Sequence, residues 1–294
     1  MLTKVDSKSG HWIILIMLSV IWGSSFILIK RGLDAFSYEQ VASLRIFIAS
    51  IFLAVIGRKY FINIPTKKLW PLLLTGVIGN GIPPFLFSKA QTYIDSGILG
   101  ILNVLTPLFT ILIGILFYNL KVKTINYLGV ALGIIGTIYL LLPHSEQLND
   151  KIVYYSILAI LGTACYGWSA NILKANLEEL NAIQISTISF SFIGPWAGIY
   201  LFFGDFLEIM QSHPKALTSL VSITILAIMS SAIAVIIFNE LIKMTEPLFA
   251  TSCTYIIPII AIIWGISDDE IITIRHIIGF VIILVGIYLV NKRT

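Results

Sequence analysis

Two prolines lie inside long apolar segments, and each follows neutral polar side chains that could bind a solute. The two groups are Asn103, Thr106 and Pro107, and Thr254, Tyr255 and Pro258. A proline inside a helix leaves the carbonyl one turn before it without a donor, and hydrocarbon tolerates this only where side chains, water or a cavity satisfy the group. Proline-interrupted segments at matching places in two halves are typical of a transporter's central site. We therefore expect these polar residues to line a cavity.

The third apolar segment contains a second interruption. Asn80 is followed by the adjacent Pro83 and Pro84, which remove two backbone donors and exclude a regular helix at that point. Ser231, with no proline beside it, occupies the matching place in the eighth segment. Either the interruption is a packing kink, or it offers unwound backbone to a ligand.

Aromatic residues also occur in the middle of apolar segments, away from the interfaces that Trp and Tyr prefer. Trp22 shares a helix face with Ser25 in the first segment, and Tyr166, Trp168 and Asn171 occupy the sixth. Neighbouring glycines favour close helix packing as the simpler explanation. Amphipathic rings also suit the wall of a cavity, so these residues are candidate substrate contacts.

Arg45 lies inside the second apolar segment. Either its long side chain extends to the membrane interface, or it contacts an anionic group of the substrate. Both alternatives remain open at this point.

Other polar residues of the segments receive simpler interpretations. We expect Thr110 and Thr251 to hold helices together, and Asn239 and Glu240 to be solvated at the end of the eighth segment. No Asp or Glu lies in the middle of a segment, which disfavours a mechanism that needs a buried carboxylate.

Motifs of catalysis are missing from the sequence. It contains no His-Glu-x-x-His, Gly-x-Ser-x-Gly or P-loop lysine motif. Its four histidines lie at segment ends or in loops, without metal-ligand spacing. We therefore expect neither an enzyme, nor a metal, nor a cofactor, and the dispersed basic residues do not predict nucleic-acid binding.

The elements that must position these residues are membrane-spanning helices. The chain is 57% hydrophobic and 12% charged, with a mean hydropathy of +0.95, which excludes an ordinary soluble protein. About 20 apolar residues cross a bilayer as a helix. Ten such spans are predicted, at 11–29, 40–57, 69–88, 96–117, 124–142, 152–171, 182–203, 216–239, 247–267 and 274–291.

The basic residues predict the orientation of the spans. If the N-terminus is cytoplasmic, inner loops and termini hold twelve Lys and Arg residues and outer loops hold six, with Arg45 set aside. This excess follows the positive-inside rule. We expect a multi-pass membrane protein with both termini in the cytoplasm.

An internal repeat relates the two halves, 1–145 and 146–294. Trp22 matches Tyr166 at an offset of 144 positions, and Pro107 matches Pro258 at an offset of 151. Five spans per half make the second repeat inverted. The predicted fold is thus an all-α integral membrane bundle of ten helices, built as two inverted five-helix repeats around a central cavity.

Small residues of the last span of each half predict close helix contacts. Gly129 and Gly133 form a Gly-x-x-x-Gly pattern, and Gly279 and Gly286 lie one heptad apart. These faces join either the two halves or two copies in a homodimer.

Several motifs in this order resemble the drug/metabolite transporter superfamily, in its ten-helix EamA-type branch. They are Trp22-Gly23-Ser24-Ser25-Phe26 with Lys30, Leu44-Arg45, Leu105-Thr106-Pro107-Leu108-Phe109, Tyr255-Ile256-Ile257-Pro258 and the stretch from Gly279 to Gly286. The resemblance covers nearly the whole chain and implies export or uptake of small metabolites, often amino acids, in a bacterial inner membrane. It also implies an acidic residue after the fourth and ninth spans. Glu270 fits, whereas Asn119 departs from the pattern.

The sequence therefore favours a permease that works by alternating access, an exporter of amino acids or similar amphipathic solutes. A multidrug cation extruder is the second interpretation, but it usually needs a buried carboxylate. A non-transporting membrane protein is a third. Substrate, direction, coupling ion and oligomeric state stay open.

Overall fold

The computed structural model describes residues 8–61, 64–120, 123–141 and 150–291, and the described chain is helical without strands. The predicted boundary between residues 145 and 146 lies outside the described residues, as do both termini. Eight helical segments of the described chain are long and apolar enough to cross a membrane, and two shorter apolar helices complete the ten predicted spans.

The first five spans form the first half. Span 1 consists of α1 (Lys8–Gly23) and α2 (Ser25–Leu33), span 2 is α3 (Tyr38–Ile56), and span 3 consists of α4 (Thr66–Leu74), a π-helix (Thr75–Gly81) and α5 (Ile82–Ala90). Span 4 consists of α6 (Ser96–Asn103) and α7 (Thr106–Tyr118), and span 5 is α8 (Thr124–Leu141). A 3-10 turn, Arg58–Phe61, follows span 2.

The second half repeats this order with small differences. Span 6 is α9 (Asp150–Asn176), span 7 is α10 (Ala182–Phe203), and a short helix α11 (Phe206–Ser212) connects it to span 8. Span 8 consists of α12 (Ala216–Ile225), a π-helix (Leu226–Ile233) and α13 (Ala234–Met244). Span 9 consists of α14 (Pro247–Thr251), a 3-10 turn (Ser252–Tyr255) and α15 (Ile257–Ser267), and span 10 is α16 (Ile274–Asn291).

The irregular stretches of the two halves correspond. The π-helices of spans 3 and 8 begin at Thr75 and Leu226, 151 positions apart, which is also the spacing of Pro107 and Pro258. Each of these two prolines lies at the start of a new helix, α7 or α15. The prolines therefore divide spans 4 and 9 into two helices each, because a proline has no N–H to continue the hydrogen-bond ladder.

Contacts between the halves follow the same symmetry. Span 2 packs on span 7, span 4 on span 9, and span 5 on span 10. Span 1 contacts spans 8 and 9, just as span 6 contacts spans 3 and 4. Such reciprocal pairs are what two inverted copies facing each other produce.

Spans 5 and 10 pack through the glycines. A Cβ atom added to Gly286 would lie 2.6 Å from the backbone nitrogen of Gly133 and 2.7 Å from the carbonyl oxygen of Gly129. A Cβ atom added to Gly136 would lie 2.9 Å from the backbone nitrogen of Ile283. The glycine faces thus form a contact between the two halves of one chain. They therefore give no support to a homodimer.

Candidate functional site

A cavity of about 110 Å³ lies between the two halves. Because one buried water needs about 10–15 Å³ of cavity volume, the space is large enough for several waters or a small metabolite. The predicted residues that line it are Trp22, Ser25, Arg45, Asn80, Pro84, Asn103, Thr106, Tyr166, Ser231 and Thr254. Spans 1 to 4 and 6 to 9 all contribute to its wall.

The π-helix of span 3 shapes one side of the cavity. Asn80 donates its side-chain N–H to the carbonyl of Thr75, at 3.1 Å. Pro84 and Pro83 begin α5 and cannot donate to Asn80 and Gly79, four residues earlier. Asn80 and Gly79 both line the cavity, so the break that the two prolines cause lies at the cavity wall.

The π-helix of span 8 shapes the opposite side without a proline. The indole N–H of Trp22 donates to the carbonyl of Ser230 at 3.1 Å, and the hydroxyl of Ser25 donates to the Ser230 hydroxyl at 2.8 Å. These contacts from span 1 satisfy polar groups in the wider helical turn. Hydrogen bonds from span 1 thus stabilise the π-helix of span 8, whereas in span 3 two prolines interrupt the regular helix.

Threonine hydroxyls donate hydrogen bonds to backbone carbonyls where the helices of spans 4 and 9 are interrupted. The Thr106 hydroxyl donates to the carbonyl of Asn103 at 2.8 Å, which is the carbonyl that Pro107 deprives of an amide donor. In span 9 the Thr254 hydroxyl donates to the carbonyl of Thr251 at 2.9 Å. The breaks are therefore built into the fold and keep Asn103 and Thr254 at the cavity.

Aromatic rings form matching walls of the cavity. Trp22 packs edge to face on Phe238, with ring centroids 5.1 Å apart, and Tyr166 stacks on Phe87 at 5.8 Å. Trp22 and Tyr166 are repeat partners, and so are Phe87 and Phe238. Each pair therefore joins one half to the other, and the two pairs correspond in the repeat although one is edge to face and the other stacked.

Arg45 lies inside the bundle with 8% of its surface exposed and lines the cavity. Its Nε–H donates to the Ser231 hydroxyl at 2.5 Å, and the guanidinium also interacts with the hydroxyl of Tyr166. The alternative in which this side chain extends to the interface is thus wrong.

Other predicted site residues lie away from the cavity. Trp168 is 39% exposed on the outside of the bundle and stacks on Phe117 at 5.4 Å. Asn171 donates to the carbonyls of Thr110 and Gly167, both at 2.9 Å, so it joins spans 4 and 6. The expectation that Trp168 and Asn171 line the cavity is wrong, because these side chains leave span 6 in other directions than Tyr166.

Three prolines and one tyrosine also lie outside the lining. Pro83, Pro107, Pro258 and Tyr255 do not line the cavity. Pro83 and Pro107 are buried next to lining residues, and Tyr255 packs against the core shared by spans 4 and 9. These three prolines therefore shape the wall from behind, whereas Pro84 lines the cavity itself.

Some lining residues were not predicted. Asn239 is 4% exposed, lines the cavity and donates to the Ser186 hydroxyl at 3.0 Å, so its expected solvation is wrong. The reason is that span 8 continues to Met244, which places Asn239 inside it. Thr251 also lines the cavity, and its hydroxyl donates to the carbonyl of Pro247 in its own helix at 2.8 Å, so the expectation that this hydroxyl joins two helices is wrong. Phe87 and Phe238 also line the cavity and were not predicted to do so. Their spacing of 151 positions, which is that of the repeat, was the signal that could have identified both rings.

An ion cluster joins the halves at the end of the bundle where span 1 ends. The Lys30 ammonium lies 2.8 Å from a Glu270 oxygen and 2.7 Å from an Asp268 oxygen, and Arg31 also pairs with Asp268. The Glu270 carboxylate accepts hydrogen bonds from the backbone N–H groups of Ser96 and Gly97, both at 3.1 Å. The cluster therefore connects span 1 and the start of span 4 to the end of span 9.

The pKa values of the acidic groups in and beside the cluster shift in opposite directions. Burial raises the pKa of Glu270, but hydrogen bonds from Lys30, Gly97 and Ser96 outweigh it and hold that pKa below the ordinary value. The hydrogen bond from Lys30 likewise lowers the pKa of Asp268. Burial, and next the charge of Glu270, raise the pKa of Asp95.

Within the described residues, no group of three or more His, Cys, Asp or Glu side chains could hold a metal ion. Cys165 and Cys253 are free thiols. The arrangement can bind and release a small solute between two halves, and its chemistry is recognition by neutral polar groups, rings and one guanidinium.

One solved structure is similar in fold to this chain, and several transporters are similar in sequence. A solved crystal structure superposes with a TM-score of 0.66 at 12% identity, with 97% of each chain covered. An uncharacterized transporter of Archaeoglobus fulgidus is 23% identical over 96% of this chain and 99% of its own. The uncharacterized inner membrane transporter YedA of Escherichia coli K12 is 25% identical over 85% of this chain and 80% of its own.

One relative carries a substrate in its name. The probable terminal-alkyne amino-acid exporter of Streptantibioticus cattleyicolor is 21% identical over 95% of this chain and 93% of its own. The family described as EamA-like transporter family matches residues 10–142 and 153–292. With ten helical spans, two five-span halves and a cavity between them, the chain belongs to the EamA-like transporter family.

Proposed function

We propose that this transporter exports amino acids or similar small amphipathic metabolites by alternating access. The observation that carries the proposal is the cavity between the halves, whose walls combine rings with uncharged polar side chains. Rings accept an apolar side chain, while hydroxyls and amides bind polar groups of the same solute. Rocking of one half against the other would expose this space to either side of the membrane.

The relatives support the membrane and the solute class. One relative is named an inner membrane transporter and another a probable amino-acid exporter. We place this chain in a bacterial inner membrane with both termini in the cytoplasm, since Lys and Arg residues are concentrated in the loops on that side. In that orientation the ion cluster of Lys30 and Glu270 lies on the outer side.

The lining disfavours a multidrug cation extruder. Among the described residues that line the cavity there is no Asp or Glu, and one residue, Arg45, carries a positive charge. A cation would meet repulsion without a carboxylate to balance it.

Counterflow in proteoliposomes tests the proposal. Vesicles containing the purified protein are loaded with a pool of unlabelled neutral amino acids, and the uptake of each labelled amino acid is followed. We expect uptake that Trp22→Phe lowers, because the smaller ring loses the indole donor to Ser230. The matched Trp168→Phe change lies outside the cavity and should leave uptake unchanged. Absence of uptake for every amino acid would refute amino-acid transport.

A further inference from the structure

Arg45 is a charged side chain buried inside the membrane span α3 with neutral neighbours. Its Nε–H donates to the Ser231 hydroxyl at 2.5 Å, and its guanidinium interacts electrostatically with the Tyr166 hydroxyl. Apart from these two, its guanidinium has no hydrogen-bond or ion-pair partner among the described residues. Because only its Nε–H is bound to Ser231, donors remain for a group inside the cavity. A guanidinium has five N–H donors and keeps its charge in proteins.

The charge of Arg45 is also unbalanced inside the cavity. The described lining contains no carboxylate, and the ion cluster uses its carboxylates on Lys30 and Arg31. A charged residue at membrane depth is costly and faces a partner, a cavity or a substrate pathway. The group that balances Arg45 is therefore expected to enter from outside the protein.

We propose that Arg45, Ser231 and Tyr166 form a subsite for a carboxylate of the transported solute. This inference rests on the proposed transport function and deepens it by naming one required group of the substrate. A planar carboxylate fits the paired N–H donors of a guanidinium, and charge-assisted hydrogen bonds of this kind are the stronger ones. One positive charge matches a monocarboxylate.

The rest of the cavity fits the other groups of such a solute. Asn80 lines the cavity, and the oxygen of a side-chain amide accepts hydrogen bonds from an ammonium group. Phe87 and Phe238 offer apolar surface to a side chain. The subsite therefore favours an α-amino acid or a related carboxylic acid over an amine or a neutral ester.

The subsite is also divided between the halves. Arg45 belongs to span 2 in the first half, whereas Ser231 and Tyr166 belong to spans 8 and 6 in the second. A bound carboxylate would thus bridge groups that move relative to one another during alternating access. Its binding energy differs between the two states, which is the condition for a ligand to shift a conformational equilibrium.

Matched solutes test the carboxylate requirement. Proteoliposomes are assayed for counterflow with neutral amino acids, with their amides, and with the corresponding acids that lack the amino group. We expect flux of the carboxylates and little flux of the amides. Arg45→Gln should lower carboxylate flux about tenfold or more, equivalent to about 1.4 kcal/mol or more, and Arg45→Lys should retain part of it. Arg58→Gln, an exposed change just after the same span, is the matched control.

The outcomes separate this inference from the proposed function. Amino-acid flux that is equal in wild type and Arg45→Gln, or amides carried as well as amino acids, would overturn the subsite while transport stands. Flux of the deaminated acids alone, dependent on Arg45, would support the subsite and refute amino-acid transport. Thermal melting in detergent checks the fold of Arg45→Gln. If that variant does not fold, a partial fall in the ratio of carboxylate flux to amide flux in Arg45→Lys supports the subsite, and an unchanged ratio overturns it.

A free anion is another source of the balancing charge. The same counterflow is therefore repeated with chloride replaced by methanesulfonate. Unchanged flux agrees with a carboxylate on Arg45, whereas loss of flux on removing chloride would assign Arg45 to an inorganic anion and overturn the subsite.

Discussion

Glu270 provides the sharpest test of how the two halves are held together. Its side chain is 2% exposed and contacts Lys30 at 2.8 Å. The substitution Glu270→Gln keeps the shape of the side chain and removes its charge. The bound backbone N–H groups of Ser96 and Gly97 then share one neutral carbonyl oxygen in place of two charged ones.

The expected magnitude follows from burial and from the remaining partners. Two charges at this distance attract by about 6 kcal/mol at an effective dielectric constant of about 20, and desolvation opposes that gain. Removing one partner of a buried pair costs about 3–5 kcal/mol. Lys30 is 33% exposed and keeps Asp268 at 2.7 Å, which reduces the loss. We expect Glu270→Gln to cost about 2 kcal/mol, a melting temperature lower by roughly 4 °C.

The pH dependence has a definite sign. The pKa of Glu270 is lowered from its ordinary value of 4.5 in the folded protein. The unfolded chain therefore takes up a proton first as the pH falls. The stabilisation from Glu270 is complete above about pH 4.5 and is lost as the pH falls through the lowered pKa. In Glu270→Gln this part of the acid destabilisation should disappear.

The assay is thermal unfolding of the purified protein in detergent, followed between pH 3 and pH 7, roughly the range in which carboxyl groups titrate. Asp269→Asn is the matched control, because Asp269 is exposed, has no ion pair among the described residues, and has a left-handed backbone that asparagine tolerates. Equal melting temperatures for Glu270→Gln and Asp269→Asn at neutral pH would refute the reasoning.

Two further substitutions test the helix contacts and the helix break by the same melting assay. Gly286→Ala should lower stability by about 1–3 kcal/mol, because the added methyl meets the Gly133 backbone at 2.6 Å; Gly81→Ala, with its nearest atom at 3.4 Å, should cost less, and equal costs would contradict the close packing of spans 5 and 10. Thr106→Val leaves the carbonyl freed by Pro107 without a donor and should cost about 1–3 kcal/mol. Thr110→Val removes a hydroxyl that bonds within a regular helix and should cost less; the reverse order would contradict the account of the break.

The positions of the spans were predictable because a bilayer sets a minimum length, but spans 1, 6 and 8 extend several residues beyond their predicted ends. Span 7 is predicted at 182–203 and observed at Ala182–Phe203, and span 9 is predicted at 247–267 and observed at Pro247–Ser267. The π-helix of span 8 was not predictable in the same way, because no proline causes it. It depends on Trp22, which reaches the Ser230 carbonyl from another span.

The cavity residues were predictable where the same feature, a polar residue near a proline, occurs at matching positions of both halves. Asn103 and Thr254 are repeat partners next to prolines, and both line the cavity. Trp168 shows that an aromatic residue in the middle of a span does not by itself predict a place in the cavity wall. It lies two positions after Tyr166, and side chains two positions apart do not share a helix face. Since Tyr166 faces the cavity, Trp168 has to point away from it, as the structure shows.

Arg45 marks the point where the symmetry of the halves ends. Its repeat partner is Ser189, which donates to the carbonyl of Leu72 at 3.0 Å and does not line the cavity. Two equivalent backbones allow two similar states that open to opposite sides, but a solute has distinct ends and needs distinct partners. A guanidinium present in one half alone makes the two ends of the cavity chemically different. In the proposed mechanism the repeat would allow the two states, and Arg45, as an exception to the repeat, would orient the solute.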